Sequence, residues 1–159
     1  ERPVARLVEL LEELSGRRRL AGRIARALGM LTNHRFLMDW ARAEPAQIER
    51  ALEAWRAWLD EHGGKPRQEW LALGFQREGL AVEAISGRHV WEICEAIGRA
   101  DHLSYNAQRA LMRMADHYPE SLSWPVEDAS FYWRRWFERR RRRFGAPPIP
   151  PELSTLQEE

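Results

Sequence analysis

Residues 45–64 read PAQIERALEAWRAWLDEHGG, and this stretch shows most clearly which fold class the chain adopts. Pro45 suits the first turn of a helix, where the missing backbone N–H costs no hydrogen bond. Four apolar residues follow at intervals of three and four, the spacing that puts side chains on one face of a helix: Ile48, Leu52, Trp55 and Leu59. Gly63 and Gly64 then end the pattern. The stretch predicts an amphipathic helix that packs one face into a core.

The same helical period continues on the N-terminal side of this stretch. We predict a first helix that starts near Pro3 and breaks at Ser15-Gly16, and a second that starts near Arg17 and kinks at Thr32-Asn33. The residues expected to face inward from these two helices are Val4, Leu7, Val8, Leu11, Leu14, Leu20, Ile24, Ala27, Leu28 and Leu31. We expect Phe36, Leu37 and Trp40 to extend this apolar face.

Further helical segments follow residue 64, and none alternates with the two-residue period of a strand. We predict helix over 70–85, in one piece or two, a short helix that ends at Gly98, and a helix over 105–117 capped by Ser104. A last helix over 125–145 is expected to bury Val126, Ala129, Trp133, Phe137 and Phe144. The sequence therefore predicts an all-α protein, a compact bundle of six to eight helices with an extended proline-rich C-terminal tail.

Length and composition set the frame for this bundle. The 159 residues are 44% hydrophobic and 31% charged, which is typical of a globular domain. We expect residues 1–145 to form a single helical domain, with lobes 1–64 and 65–145 as its alternative division, and residues 146–159 to form a flexible tail. The lone cysteine, Cys94, suits a reducing cytoplasm, and no apolar run reaches the roughly 20 residues of a membrane span.

Positive charge is concentrated in two blocks of the chain. The sequence has one lysine, Lys65, among 25 cationic residues and a formal net charge of only +1. Residues 17–43 and 131–145 each carry a formal charge of +6, while the segments around them are acidic. Arginine pairs with phosphate in a bidentate manner and stacks on flat rings. Five consecutive arginines at 139–143 repel one another along a helix unless an anion lies nearby.

This clustering predicts two surfaces that hold the phosphate backbone of a nucleic acid. In the C-terminal block the candidate binding residues are Arg134, Arg135, Arg139, Arg141 and Arg142. In the first block they are Arg19, Arg23 and Arg26, with Arg17 and Arg18 beside them. Trp133, Trp136 and Phe137 lie on or near the apolar stripe, so we expect them in the core rather than as stacking platforms for bases. The alternative is that the arginines form solvated faces or pair with the 24 acidic residues.

Catalytic and metal-binding patterns are sparse in this sequence. His89 and Glu92 have a helical ligand spacing, and Glu95 follows them, but no second copy of the pair appears. Two Asp-His pairs, at 101–102 and 116–117, match only half of a phosphohydrolase signature, and His34 and His62 lack helical ligand partners. Cys94 lies on an apolar face, which does not suit a nucleophile. We therefore predict a protein that is not an enzyme, with no catalytic residue, no metal and no cofactor.

Part of the C-terminal half resembles a known family. Residues 109–114 read RALMRM, residues 122–126 read LSWPV, and residues 132–136 read YWRRW before the basic run. In this order they resemble the small helical subunit of CRISPR Cascade-type effector complexes, over about residues 86–144. The resemblance implies a non-catalytic bundle that steadies a guide–target duplex or a displaced DNA strand within a ribonucleoprotein. By position it carries Arg109, Arg113, Arg134 and Arg135 over as nucleic-acid contacts.

Our leading hypothesis is a cytoplasmic helical subunit that binds RNA or DNA through its backbone and assembles with other protein subunits. The second hypothesis is a protein–protein adaptor whose arginines and tryptophans are interface hot spots. Alternation of basic blocks with acidic stretches favours self-association in that case. A helical enzyme built on His89 and Glu92 is the third.

Overall fold

The computed structural model describes residues 2–36 and 38–151, with the side chain of Arg2 left out. Those residues form α-helices and two short 3-10 helices, Gly87–His89 and Glu120–Ser123, and no β-strand. The α-helices are α1 (Arg2–Glu13), α2 (Arg18–Thr32), α3 (Pro45–His62), α4 (Arg67–Arg77), α5 (Val90–Glu95), α6 (Asp101–Ala115), α7 (Val126–Glu138) and α8 (Arg141–Phe144). The all-α prediction is confirmed.

The chain divides into two compact units, residues 1–74 and residues 75–159. The predicted single domain over 1–145 stays a prediction. Residues 152–159 of the predicted tail lie outside the described residues. At the start of that tail, the indole Nε1 of Trp91 donates a hydrogen bond to the carbonyl oxygen of Pro147 over 3.1 Å.

The first unit is built on helices α1, α2 and α3, which pack around one apolar core. Its fully or nearly fully buried side chains are Val4, Val8, Leu11, Ala21, Ile24, Leu28, Trp40, Ala43, Ile48, Ala51, Leu52, Trp55, Trp58 and Trp70. One inward prediction is wrong, because Leu20 is 37% exposed. The buried face of α2 centres on Ala21, Ile24 and Leu28, and each helical step turns a side chain by about 100°, so Leu20 falls beside this face.

Helix α2 ends at Thr32, where we predicted only a kink. Asn33 adopts a left-handed conformation with φ 60°, which stops the helix, and its backbone N–H bonds to the carbonyl of Gly29. The buried Asn33 side chain donates from Nδ2 to the carbonyl oxygen of Leu71 over 2.8 Å. Asparagine tolerates this conformation better than most residues. Of the residues between α2 and α3, those described, 33–36 and 38–44, form no helix, so Trp40 reaches the core from outside a helix. Leu37 lies outside the described residues.

The second unit packs α5 against α6 and α7. Short α5 buries its apolar side, since Val90, Ile93 and Cys94 are completely buried, and so is Ile97 just beyond it, while Glu95 is exposed. On α7, Ala129, Trp133 and Phe137 are equally buried, whereas Val126 is 39% exposed; Phe144, on α8, is half-buried. The predicted burial of Ala129, Trp133 and Phe137 is confirmed. The predicted burial of Val126 is wrong, because this residue lies at the exposed first turn of the helix.

Two helix boundaries in this region differ from the predictions. Helix α6 starts at Asp101, so Ser104 is a buried residue inside the helix and not its cap. Helix α4 ends at Arg77, and the chain from 80 to 86 is irregular although Leu80 and Val82 are buried. There, Gln76 Nε2 bonds to the Val82 carbonyl oxygen over 2.9 Å. Leu80 and Val82 are apolar because the irregular segment is buried by tertiary packing, and their spacing was therefore mistaken for the apolar face of a helix.

Candidate nucleic-acid interface

Helix α7 determines on which side the first basic residues of the C-terminal block lie. Its first turn carries Glu127 and Asp128, where carboxylates interact favourably with the helix dipole. Ala129, Trp133 and Phe137 follow at intervals of four on the buried face. Arg135, between these positions, is therefore exposed, with its guanidinium carbon 5.4 Å from the ring centre of Phe131.

We predicted one continuous helix over 125–145, and this prediction is wrong, because the helix is broken within the basic run. Helix α7 ends at Glu138, and the backbone N–H of Arg140 donates a hydrogen bond to the carbonyl oxygen of Phe137 over 3.0 Å. The short α8 follows, and Gly145 with φ 64° ends it. In a straight helix, Phe144 would lie about 10 Å along the axis from Phe137. The ring centres are 5.2 Å apart, so the break folds Phe144 back onto α7.

The arginines of residues 139–143, at and after the break, are mostly exposed to solvent. Arg139, Arg140, Arg142 and Arg143 are exposed, and Arg141 is half-buried. Within the described part of the chain, only Arg141 among the five forms an ion pair, from Nε to Glu138 Oε1 at 3.6 Å. We call Arg135, Arg139, Arg140, Arg142 and Arg143 the C-terminal arginine surface. It has five cationic groups in solvent and no carboxylate partner among the residues described.

Arg134 is a predicted contact residue with a different environment. It is half-buried, and its Nε is shielded from solvent with no hydrogen-bond partner among the described residues. Its charge acts on Cys94, whose pKa burial raises to about 12 while Arg134 opposes that rise. A thiol with so high a pKa is uncharged and unreactive at neutral pH. Arg134 thus lies close to the core of the unit.

The other predicted contact residues lie on α6 and α2. On α6, Arg113 is exposed and Arg109 half-buried. On α2, Arg19, Arg23 and Arg26 are all exposed, as the spacing predicted. Neighbouring Arg18 instead donates from Nη1 to the carbonyl oxygen of Ala43 over 2.7 Å, which makes it a support for the loop before α3. The α2 arginines and the C-terminal arginine surface belong to different units of the chain.

An aromatic column lies beside the C-terminal arginine surface. The imidazole of His117 stacks on Trp136 at 5.4 Å with an interplanar angle of 11°, and on Tyr132 at 6.1 Å and 25°. His117 Nε2 also bonds to the Tyr132 hydroxyl. The guanidinium carbon of Arg140 lies 4.4 Å from the ring centre of Trp136. Trp133 and Phe137 are core, as predicted, but Trp136 is only half-buried.

Sequence reasoning missed His117 and Arg140 as members of this column. Tyr132, Trp136 and Arg140 recur at intervals of four, which is a readable signal for one side of a helix. His117 gave no such signal, because it reaches α7 from a different part of the chain, two residues beyond the end of α6.

A second exposed surface has the opposite charge. Large apolar side chains that reach solvent cluster in 118–131, where they are Tyr118, Leu122, Trp124, Val126 and Phe131. Residues 114–133 contain four carboxylates and no lysine or arginine. We call residues 118–131 the acidic turn surface. Its carboxylates repel phosphate.

The residues considered for metal or acid–base chemistry do not converge. Within 2–36 and 38–151, no three or more His, Cys, Asp or Glu side chains lie close enough together to hold a metal ion. Glu92 has one carboxylate oxygen buried without a hydrogen-bond partner in the same range. Over those residues the helices are also too short or too polar to cross a lipid bilayer.

Comparison with known proteins adds no relative to this description: no protein-family model, no curated protein and no solved structure matches the chain.

Proposed function

We propose that this protein is a non-catalytic helical subunit that binds nucleic acid through the phosphate backbone, as part of a ribonucleoprotein assembly. The C-terminal arginine surface is the single observation that carries the proposal. Five guanidinium groups crowd into nine residues without a carboxylate partner in the described range, although the whole chain holds 24 acidic residues. Such mutual repulsion is relieved when a polyanion lies against the surface.

The binding we propose is independent of sequence. The exposed side chains of the surface are arginines, which suit phosphate oxygens through paired N–H donors. Reading of base edges in a duplex requires a helix that presents Asn, Gln or Arg into the major groove. The helix that carries the basic residues is broken at residues 139–140, so the arginine run does not lie on one continuous recognition helix.

The assembly we propose is a CRISPR effector, with this chain as its small subunit. What supports this is the order of the elements that hold the similar residues: RALMRM lies on α6, LSWPV spans the turn after it, and YWRRW lies on α7. In that setting the arginine surfaces would steady a guide–target duplex or a displaced strand. Other subunits would complete the binding groove, and the cytoplasm would be its compartment.

A second function is favoured by the acidic turn surface. Five exposed apolar side chains beside carboxylates make a surface for a cationic, apolar protein partner. In this alternative the chain is a protein–protein adaptor, and a second copy with its own basic blocks is an available partner. Self-association without any affinity for nucleic acid is the result that would favour it.

Charge reversal on the C-terminal arginine surface tests the leading function. We expect the triple variant Arg135→Glu, Arg139→Glu, Arg142→Glu to weaken binding of labelled RNA and DNA by at least about tenfold, whatever their sequence. Fluorescence anisotropy at low salt measures this, and circular dichroism checks the helical fold.

The matched control compares two single reversals. Arg142→Glu and Arg50→Glu make the same change in net charge at exposed positions, but Arg50 lies on α3 outside both basic blocks. Only Arg142→Glu should weaken binding. Equal loss in both variants would mean that net charge alone drives the association, and no loss in the triple variant would remove this surface from the function.

A further inference from the structure

We infer that Trp136 is a stacking site for an unpaired base, and that the nucleic acid held by this protein is therefore single-stranded where it meets the C-terminal arginine surface. This inference rests on the proposed function and deepens it. It names the class of ligand and adds a residue, Trp136, that phosphate binding alone does not require.

The geometry around Trp136 already stacks flat groups. His117 lies parallel to the indole at 5.4 Å, and the guanidinium of Arg140 lies over the ring at 4.4 Å. The indole is half-buried, whereas neighbouring Trp133 and Phe137 are completely buried. The rings of Phe137 and Phe144, with centres 5.0 and 5.5 Å from that of Trp136, also hold the indole, and the guanidinium of the exposed Arg140 covers part of the surface that remains.

A base can replace that guanidinium at a net gain. An exposed cation–π contact is worth roughly two- to fivefold in an equilibrium constant. Stacking of a base on an aromatic side chain is worth roughly five- to 150-fold. The displaced Arg140 stays next to Arg139 and Arg142 and becomes free to meet a phosphate of the same strand. A duplex gains nothing here, because its bases are stacked on one another.

The charge around the column agrees with this use. The arginines of residues 139–143 begin three residues after Trp136, so backbone contacts would place successive bases beside the indole. Trp124 lies at the other end of the column, with its ring centre 5.1 Å from that of Tyr132. It belongs to the acidic turn surface, whose carboxylates repel phosphate. Only the Trp136 end of the column combines an accessible ring with cations.

The test compares two strands that have identical phosphates. One is a thymidine 30-mer and the other is a 30-mer of abasic sites, each measured by anisotropy with the full chain. We expect the wild type to bind the thymidine strand at least about fivefold more tightly. Trp136→Leu should abolish that ratio while leaving the affinity for the abasic strand unchanged, and Trp124→Leu should leave both unchanged. Arg140→Ala should weaken binding of the abasic strand without lowering the ratio, because the guanidinium no longer competes with the base for the indole.

A second measurement needs no variant, in case Trp136→Leu fails to fold. Irradiation of the wild type with a strand that contains 5-iodouracil should attach the base to the peptide that holds Trp136, as mass spectrometry would show. Equal, tight binding of both strands would leave the proposed function standing and overturn base stacking. A crosslink only elsewhere would also overturn it. Absence of binding to either strand would overturn both proposals together.

Discussion

Gly87 leaves no room for a side chain, because α8 approaches its backbone closely. A Cβ built there would lie 2.8 Å from the carbonyl carbon of Phe144 and still nearer to its oxygen. These are backbone atoms that cannot turn aside, so Gly87→Ala should push α8 away from residue 87 and lower the free energy of unfolding by about 1–3 kcal/mol. Urea or thermal unfolding measures this loss.

Gly98 provides the matched control for that substitution. It belongs to the same unit, and a Cβ there would meet only Val126 Cγ1 at 3.7 Å, an ordinary contact. Gly98→Ala should therefore unfold close to the wild type. Similar midpoints for both variants would mean that α8 does not pack against residue 87. The sequence does not reveal this approach, since Phe144 lies far along the chain from Gly87.

Helix α2 shows at the scale of one element how far periodicity reaches. The pattern correctly predicted a helix and the burial of Ile24 and Leu28, but it also placed Leu20 inside. Both leucines fit an apolar stripe, and only the neighbouring helices decide which edge of that stripe is covered. We expect Leu28→Ala to lower the free energy of unfolding by about 2–5 kcal/mol. Leu20→Ala should change it by less than about 0.5 kcal/mol. Equal losses in chemical unfolding would contradict the structure.

Helix α7 and its continuation mark the limit of the same method. The buried interval of Ala129, Trp133 and Phe137 could be predicted because it is local to one helix. The break after Glu138 could not, since helix-forming arginines continue through it and the contact that bends the chain is formed by Phe144. The arginine cluster was therefore identified from sequence. Its spread over solvent and its aromatic column depended on tertiary packing.

Across the whole molecule, charge distribution matters more for the proposed function than net charge. The formal net charge is +1, yet each unit contains one +6 block. Diffuse charge of +1 would give almost no attraction for a polyanion at physiological salt, because fields from exposed groups fade over about 8 Å. Local clusters act within that distance, so we expect binding to follow the blocks and not the total.

A salt titration measures how many phosphates these blocks neutralise. Neutralisation of four to six phosphates on a single strand should give a log–log slope of affinity against salt of roughly −3 to −4. Arg19 and Arg23 are exposed on α2 and form no ion pair in the described part of the chain. If they bind phosphates independently of the C-terminal arginine surface, Arg19→Glu with Arg23→Glu should reduce the magnitude of the slope by roughly 1.4, since each phosphate contributes roughly 0.7. Arg50→Glu should leave the slope unchanged. An unaltered slope in the double variant would remove Arg19 and Arg23 from the phosphate-binding surface, because counterions are released only where phosphates are neutralised.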